Sequence, residues 1–128
     1  MRILFVEDNE TNRRIVKEML AAGDIDMAEA EDAQTGLDMI EAEDFDLILM
    51  DLRMPGMDGL SAVRRIRART DAKAGLPVIV VTADAGGAIQ ADCTAAGADD
   101  MLLKPVSMPL LYDAIGRALA AGDEAMLA

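Results

Sequence analysis

The sequence predicts a doubly wound α/β domain in which a five-stranded parallel sheet is flanked by five helices. Short unbroken apolar runs recur at residues 3–6 (ILFV), 47–50 (LILM), 78–81 (VIVV) and 101–103 (MLL), and the segments between them carry apolar residues at helical spacing. A length of 128 residues with 52% hydrophobic side chains sets the scale: one compact domain with a sizeable core and no need of a covalent staple.

The first run, ILFV, is a strand without polar alternation, as expected where both faces of a parallel sheet are covered. The segment TNRRIVKEMLAAG predicts a helix with Ile15, Met19 and Ala22 on its inward face and a stop at Gly23. A weaker run, IDMAEA at 25–30, supplies a further strand, and AQTGLDMIEAE the helix after it. LILM is the next strand; GLSAVRRIRAR then repeats Leu60, Val63 and Ile66 at helical spacing. After VIVV a fourth helix opens on Gly86 and Gly87, where each glycine costs about 1 kcal/mol relative to alanine, so its first turn is expected to fray. MLL is the last strand, and SMPLLYDAIGRALAAG the last helix, with Ser107 as cap and Leu111, Ile115 and Leu119 facing inward. Parallel neighbours require crossover connections, which the five helices provide. The domain is assigned to residues 1–121, with GDEAMLA at 122–128 as a short tail and no output domain.

Composition removes several classes of function. A formal charge of −12 disfavours nucleic acid and anionic membranes. The one basic cluster, RRIRAR at 64–69, reads as the solvated face of a helix. Cys93 is the only cysteine, so no internal disulfide or cysteine-based zinc site can form, and a reducing cytoplasmic location fits. No apolar stretch has the length of a signal-peptide core or a membrane span. With no histidine in the chain, any histidine chemistry must come from a partner.

The residues that follow the strands carry the chemistry: Glu7 and Asp8 after the first run, Asp51 after LILM, Thr82 after VIVV and Lys104 after MLL. The carboxyl ends of parallel strands form one crevice, so these scattered positions converge. Hard carboxylate oxygens from Asp8 and Asp51, with Glu7 nearby, suit Mg²⁺, which keeps several waters and accepts phosphate oxygens alongside carboxylates. Lys104 supplies a point charge for a phosphoryl oxygen and Thr82 a hydroxyl donor; phosphoryl transfer asks for this kind of positioning and neutralisation. Asp51 is then the nucleophile. Taken singly, each acid could be a turn or cap residue, Thr82 an ordinary strand end and Lys104 a surface lysine. Their agreement at one sheet edge is the argument.

FVEDN, LILMDLRMPGMDG, VIVVTADA and GADDMLLKPV, in this order and spacing, make residues 2 to 121 resemble the receiver domain of two-component response regulators, the flavodoxin-like family typified by the bacterial chemotaxis regulator. Within it the sequence is most similar to single-domain phosphorelay regulators and the receivers of hybrid sensor kinases. The resemblance implies that Asp51 accepts a phosphoryl group from a phosphohistidine of a sensor histidine kinase or histidine phosphotransfer protein. It also implies that Glu7, Asp8, Asp51 and the Arg53 backbone carbonyl hold Mg²⁺, that Thr82 and Lys104 contact the phosphoryl oxygens, and that Lys104-Pro105 is a cis peptide. MPGMDG at 54–59 then forms the loop that carries Pro55 and Gly59 beside the site. Partner docking is expected on Thr11, Asn12, Ile15 and Met19 of the first helix and on Pro105, Val106 and Ser107. A downstream protein target is expected on the face of the fourth helix, fifth strand and fifth helix, with the chain a monomer or weak dimer.

The sequence departs from the family's pattern in two places. Where relatives carry an aromatic switch residue three positions before the lysine stands Met101, a flexible side chain, so the usual coupling between Thr82 and an aromatic ring is in question. Together with Gly86 and Gly87 this suggests a switch that orders the fourth helix. Arg53 and Asp84 occupy positions that in the family tend to line the path of hydrolytic water, where their charges could pair. Two rival readings are a Mg²⁺-dependent aspartyl-phosphate phosphohydrolase of the haloacid dehalogenase type and a non-phosphorylated interaction module. The first lacks its second aspartate, since Arg53 stands two residues beyond Asp51. The intact set of five polar residues counts against the second. The expectation is a phosphoacceptor signalling protein, not an enzyme acting on a separate substrate.

Overall fold

The computed structural model describes the backbone of residues 1–127 and the side chains of residues 1–121. Strands β1 (Arg2–Val6), β2 (Asp26–Ala30), β3 (Leu47–Asp51), β4 (Val78–Thr82) and β5 (Asp100–Leu103) alternate with helices α1 (Glu10–Ala21), α2 (Ala33–Ala42), α3 (Gly59–Arg67), α4 (Gly87–Ala96) and α5 (Met108–Leu127). All strand pairs are parallel, in the order β2-β1-β3-β4-β5. This is the expected doubly wound sheet.

Strand alternation divides the core into two layers. Ile3, Phe5, Leu47, Leu49, Ile79 and Val81 face α1 and α5, while Leu4, Val6, Ile48, Met50, Val78 and Val80 face α2, α3 and α4. Both faces of the three inner strands are therefore buried, which is why their sequences read as unbroken apolar runs. β2 lies at an edge and is only partly covered, with Met27 and Ala30 buried in opposite core layers and Asp26 and Glu29 exposed; this accounts for its weak signal.

Short polar side chains start four of the five helices. The Asn9, Asp32 and Asp58 side-chain oxygens accept from the backbone N–H groups of Asn12, Thr35 and Ser61 at 3.0, 2.7 and 2.7 Å, and Ser107 accepts from Leu110 N–H at 3.3 Å. At the head of α4 stands Gly86, which has no side chain to offer. That helix ends on Gly97, whose φ of +107° is the left-handed conformation that favours glycine.

Three expectations are corrected. In α1 the buried stripe is Val16 and Leu20, while Ile15 and Ala22 are exposed and Met19 is half-buried. The helix carries apolar residues on two adjacent stripes, and the sheet takes the one that reaches Phe5 and Met27. Arg64 and Arg65 are solvated as expected, but Arg67 is a structural staple. Its guanidinium donates to the carbonyls of Gly97 (2.9 Å), Ala74 (2.9 Å) and Leu76 (2.6 Å) and to the Asp99 carboxylate (2.9 Å), tying α3 to the 3-10 turn Ala72–Gly75 and to the end of α4. Finally, the residues expected as a tail from 122 continue α5 as far as Leu127.

Candidate functional site

The chain runs outward from β1 to β2 and then returns across β1 to β3, so the order of strands reverses between β1 and β3. Open parallel sheets bind ligands at such a reversal, beyond the carboxyl ends of the strands. Glu7 and Asp8 follow β1 and Asp51 ends β3, on the two sides of that point. Register brings in the others: Asp51 pairs with Val81 beside Thr82, and Lys104 N–H donates to the Thr82 carbonyl at 2.8 Å.

Together they line a cavity of about 280 Å³ that also includes Asn9, Asn12, Arg53 and Ala83. Glu7 is 0%, Asp51 3% and Thr82 2% exposed, whereas Asp8 is open to solvent. The Lys104 ammonium sits among the acids, 3.1 Å from Asp51 Oδ1 and 3.2 Å from each carboxylate oxygen of Glu7. The Asn12 amide donates to Glu7 Oε1 at 2.8 Å, and the Arg13 guanidinium to the Glu7 carbonyl at 2.7 Å. The Thr82 hydroxyl accepts from Asp84 N–H at 3.1 Å, and Arg53 pairs with Asp84 at the mouth.

One ammonium does not balance three acids. Burial is the main reason the Asp51 carboxyl is pushed up to about 7; its contact with Glu7 adds to the shift and Lys104 opposes it. Burial works against the Lys104 ammonium, but Asp51 and Glu7 outweigh it and hold its pKa above the ordinary lysine value. Oxygen atoms of Glu7, Asp8 and Asp51 lie within 4.8 Å of one another. Three hard carboxylates in an electron-rich, partly dry crevice fit a small divalent cation that prefers oxygen ligands and retains water.

The loop after β3 is shaped around Asp51. Gly59 opens α3 so close to the end of β3 that a Cβ there would lie 2.1 Å from the Asp51 carbonyl oxygen, and Gly59 N–H closes the loop onto the Leu52 carbonyl at 3.0 Å. The Lys104-Pro105 peptide is cis, as expected.

Beside this cavity lies an apolar groove of about 80 Å³. Asn12, Ile15, Pro105 and Val106, named from the sequence as docking residues, line it together with Lys104. Met19 does not line it; it packs partly against the α1/α5 core. Phe5 and Val81 at its base were legible only as core strand residues. Met101 is half-buried and does not line the acid cavity; with Cys93 and Thr94 it lines a separate cavity of about 90 Å³ between α4 and β5.

Residues 3–116 match the response regulator receiver domain. The chemotaxis protein CheY of Pseudomonas aeruginosa is 38% identical over 116 residues, 90% of this chain and 93% of that protein. A hybrid signal transduction histidine kinase of Dictyostelium discoideum is 39% identical over 91% of this chain, which spans only 4% of that much longer protein. Among solved structures, the receiver domain of a Pseudomonas aeruginosa sensor histidine kinase, with a magnesium ion coordinated in its active-site cleft, superposes with a TM-score of 0.84 at 34% identity, covering 93% of this chain and 97% of that one.

The raised Asp51 carboxyl has a measurable consequence for stability. The folded state holds this proton more tightly than the unfolded chain, so stability falls as the pH rises from the ordinary carboxylate range through about 7. Asp51→Asn should therefore raise unfolding stability in metal-free buffer at pH 8 by about 2 kcal/mol, and the gap should narrow towards pH 5.5. Urea unfolding of both proteins at the two pH values measures it.

Proposed function

Because the chain belongs to the response regulator receiver family and is a phosphorylation-controlled signalling domain, we propose that Asp51 is its phosphoacceptor and that a partner's phosphohistidine is the donor. The observation that carries this reading is the Asp51 carboxylate at the strand-order reversal, almost fully buried, held by Lys104 at 3.1 Å and grouped with Glu7 and Asp8. An Asp51 oxygen attacks phosphorus, the phosphorus–nitrogen bond to the donor imidazole breaks, and its electron pair returns to that nitrogen, leaving an acyl phosphate.

Glu7, Asp8, Asp51 and the Arg53 carbonyl would hold Mg²⁺, which when bound neutralises charge on the transferring phosphoryl group. Lys104 neutralises a second oxygen from the opposite side, and the Thr82 hydroxyl turns from Asp84 N–H to the phosphoryl group. The donor protein docks in the groove of Ile15, Pro105 and Val106, where Ile15 is 44% exposed although apolar. A sensor histidine kinase or histidine phosphotransfer protein is the donor, and the chain acts in the cytoplasm as a binding switch or phosphorelay intermediate. Its downstream target binds the face of α4, β5 and α5. No helix among the described residues is long and apolar enough to cross a membrane.

The phosphohydrolase alternative needs an acid/base group two residues beyond the nucleophile. Arg53 stands there and is engaged with Asp84. Turnover of the acyl phosphate is accordingly slow, which suits a signal.

Incubation with acetyl phosphate and Mg²⁺ should add one phosphoryl mass to the intact chain and none to Asp51→Asn, and none should appear when Mg²⁺ is chelated. No gain under any condition would favour the non-phosphorylated interaction module. Arg53→Ala and Asp84→Asn should each change the lifetime of the acyl phosphate severalfold while leaving Mg²⁺ affinity within error; decay rates equal to the parent's in both would remove the pair from the hydrolytic path. Because α4 starts without a side-chain cap and Met101 replaces a rigid ring, phosphorylation should slow amide exchange across residues 84–96. Identical exchange with and without the phosphoryl group would exclude ordering of α4 as the switch.

A further inference from the structure

The acid cavity and the apolar groove share two residues, Lys104 and Asn12. Lys104 is already part of the phosphoryl chemistry; Asn12 is not. Its backbone N–H is fixed by the Asn9 cap at 3.0 Å, so the first turn of α1 aims the Asn12 side chain back over the end of β1, where the amide donates to Glu7 Oε1 at 2.8 Å.

Glu7 is fully buried, and its main chain is held at both ends, by Ala30 through its N–H (2.9 Å) and by Arg13 through its carbonyl (2.7 Å). What remains to be set is the rotation of the carboxylate. Lys104 bonds the two Glu7 oxygens at the same distance, 3.2 Å, and cannot distinguish them. Asn12 can: it donates to Oε1 alone, so that among the described residues Lys104 is the one side-chain cation or amide donating to Oε2.

Building on the reading of Glu7 as a Mg²⁺ ligand, we infer that Asn12 is a positioning residue, whose amide occupies one oxygen of Glu7 and so presents the other to the divalent cation. A carboxylate held by a neutral donor keeps its negative charge for the ion, whereas a second cation in that place would compete with it. Asn12 also forms part of the groove wall between Ile15 and Lys104, so the residue that orients the metal ligand lies on the surface where the phosphodonor docks.

Calorimetric titration with MgCl₂ tests this without any phosphorylation. Asn12→Leu, which keeps the branched heavy-atom skeleton and removes the donor, should weaken Mg²⁺ binding about tenfold; Asn12→Ala should do the same and serves if the bulkier leucine disturbs packing. Thermal unfolding in metal-free buffer checks that each variant is folded. In a Glu7→Gln background the Asn12 substitutions should make no further difference, because the group through which Asn12 acts has been changed. Unaltered affinity in folded Asn12 variants would overturn the inference while leaving the metal site intact, and so would an equal loss in the Glu7→Gln background. Failure of the parent chain itself to bind Mg²⁺ would overturn both the metal-site reading and this inference.

Discussion

The Lys104 ammonium between the Glu7 and Asp51 carboxylates is the contact on which the rest of the site depends. Burying a carboxylate is costly unless it is paired and hydrogen-bonded, and here two are nearly removed from water with a third at the rim. One lysine cannot neutralise three acids. Burial, reinforced by Glu7 and only partly opposed by Lys104, raises the Asp51 carboxyl to about 7, and the charge imbalance leaves a crevice that is short of positive charge, the physical condition for taking up a cation and then an oxyanion.

Only the topology makes that contact possible. Glu7 and Lys104 are 97 positions apart, and Asp51 and Lys104 are 53 apart. β1 and β3 must lie side by side at the centre of the sheet, and β5 must pair with β4 so that Lys104 follows Thr82 to the same edge. The inner strands can be central because both of their faces are covered, and their apolar sequences reflect it. The fold and the charge cluster are thus one arrangement: the strands that bury the core also end at the acids.

Helix α1 shows how a single element serves two surfaces. Val16 and Leu20 secure it to the sheet, Ile15 is left towards the groove, and Asn12 reaches the buried acid from the first turn. At the other end of the helix the Tyr112 hydroxyl donates to the Met19 carbonyl at 2.7 Å, holding α5 against α1. A Cβ on Gly23 would lie 2.5 Å from that hydroxyl, so the glycine that marks the helix end in the sequence also admits this contact. On the opposite face Arg67 anchors the end of α4, whose start has no side-chain cap. α4 is therefore held more firmly at its end than at its beginning.

By itself the sequence determined the alternation of strands and helices, the burial of the inner strands, the Ser107 cap of the last helix and the meeting of Glu7, Asp8, Asp51, Thr82 and Lys104, because each follows from local periodicity, cap chemistry or position at a strand end. It misassigned the inward stripe of α1, since a helix with apolar residues on neighbouring stripes leaves the choice to the surface it packs against. Arg67 read as one solvated arginine of a cluster because its four partners, at 74, 76, 97 and 99, belong to elements that only the finished fold brings beside it. The pairing of Arg53 with Asp84 was already expected from their positions, whereas only the tertiary structure decided that Asn12 turns to Glu7. Spacing along the chain fixes the direction of a side chain to within one face of its element; which atom it meets there is fixed by strand order and register.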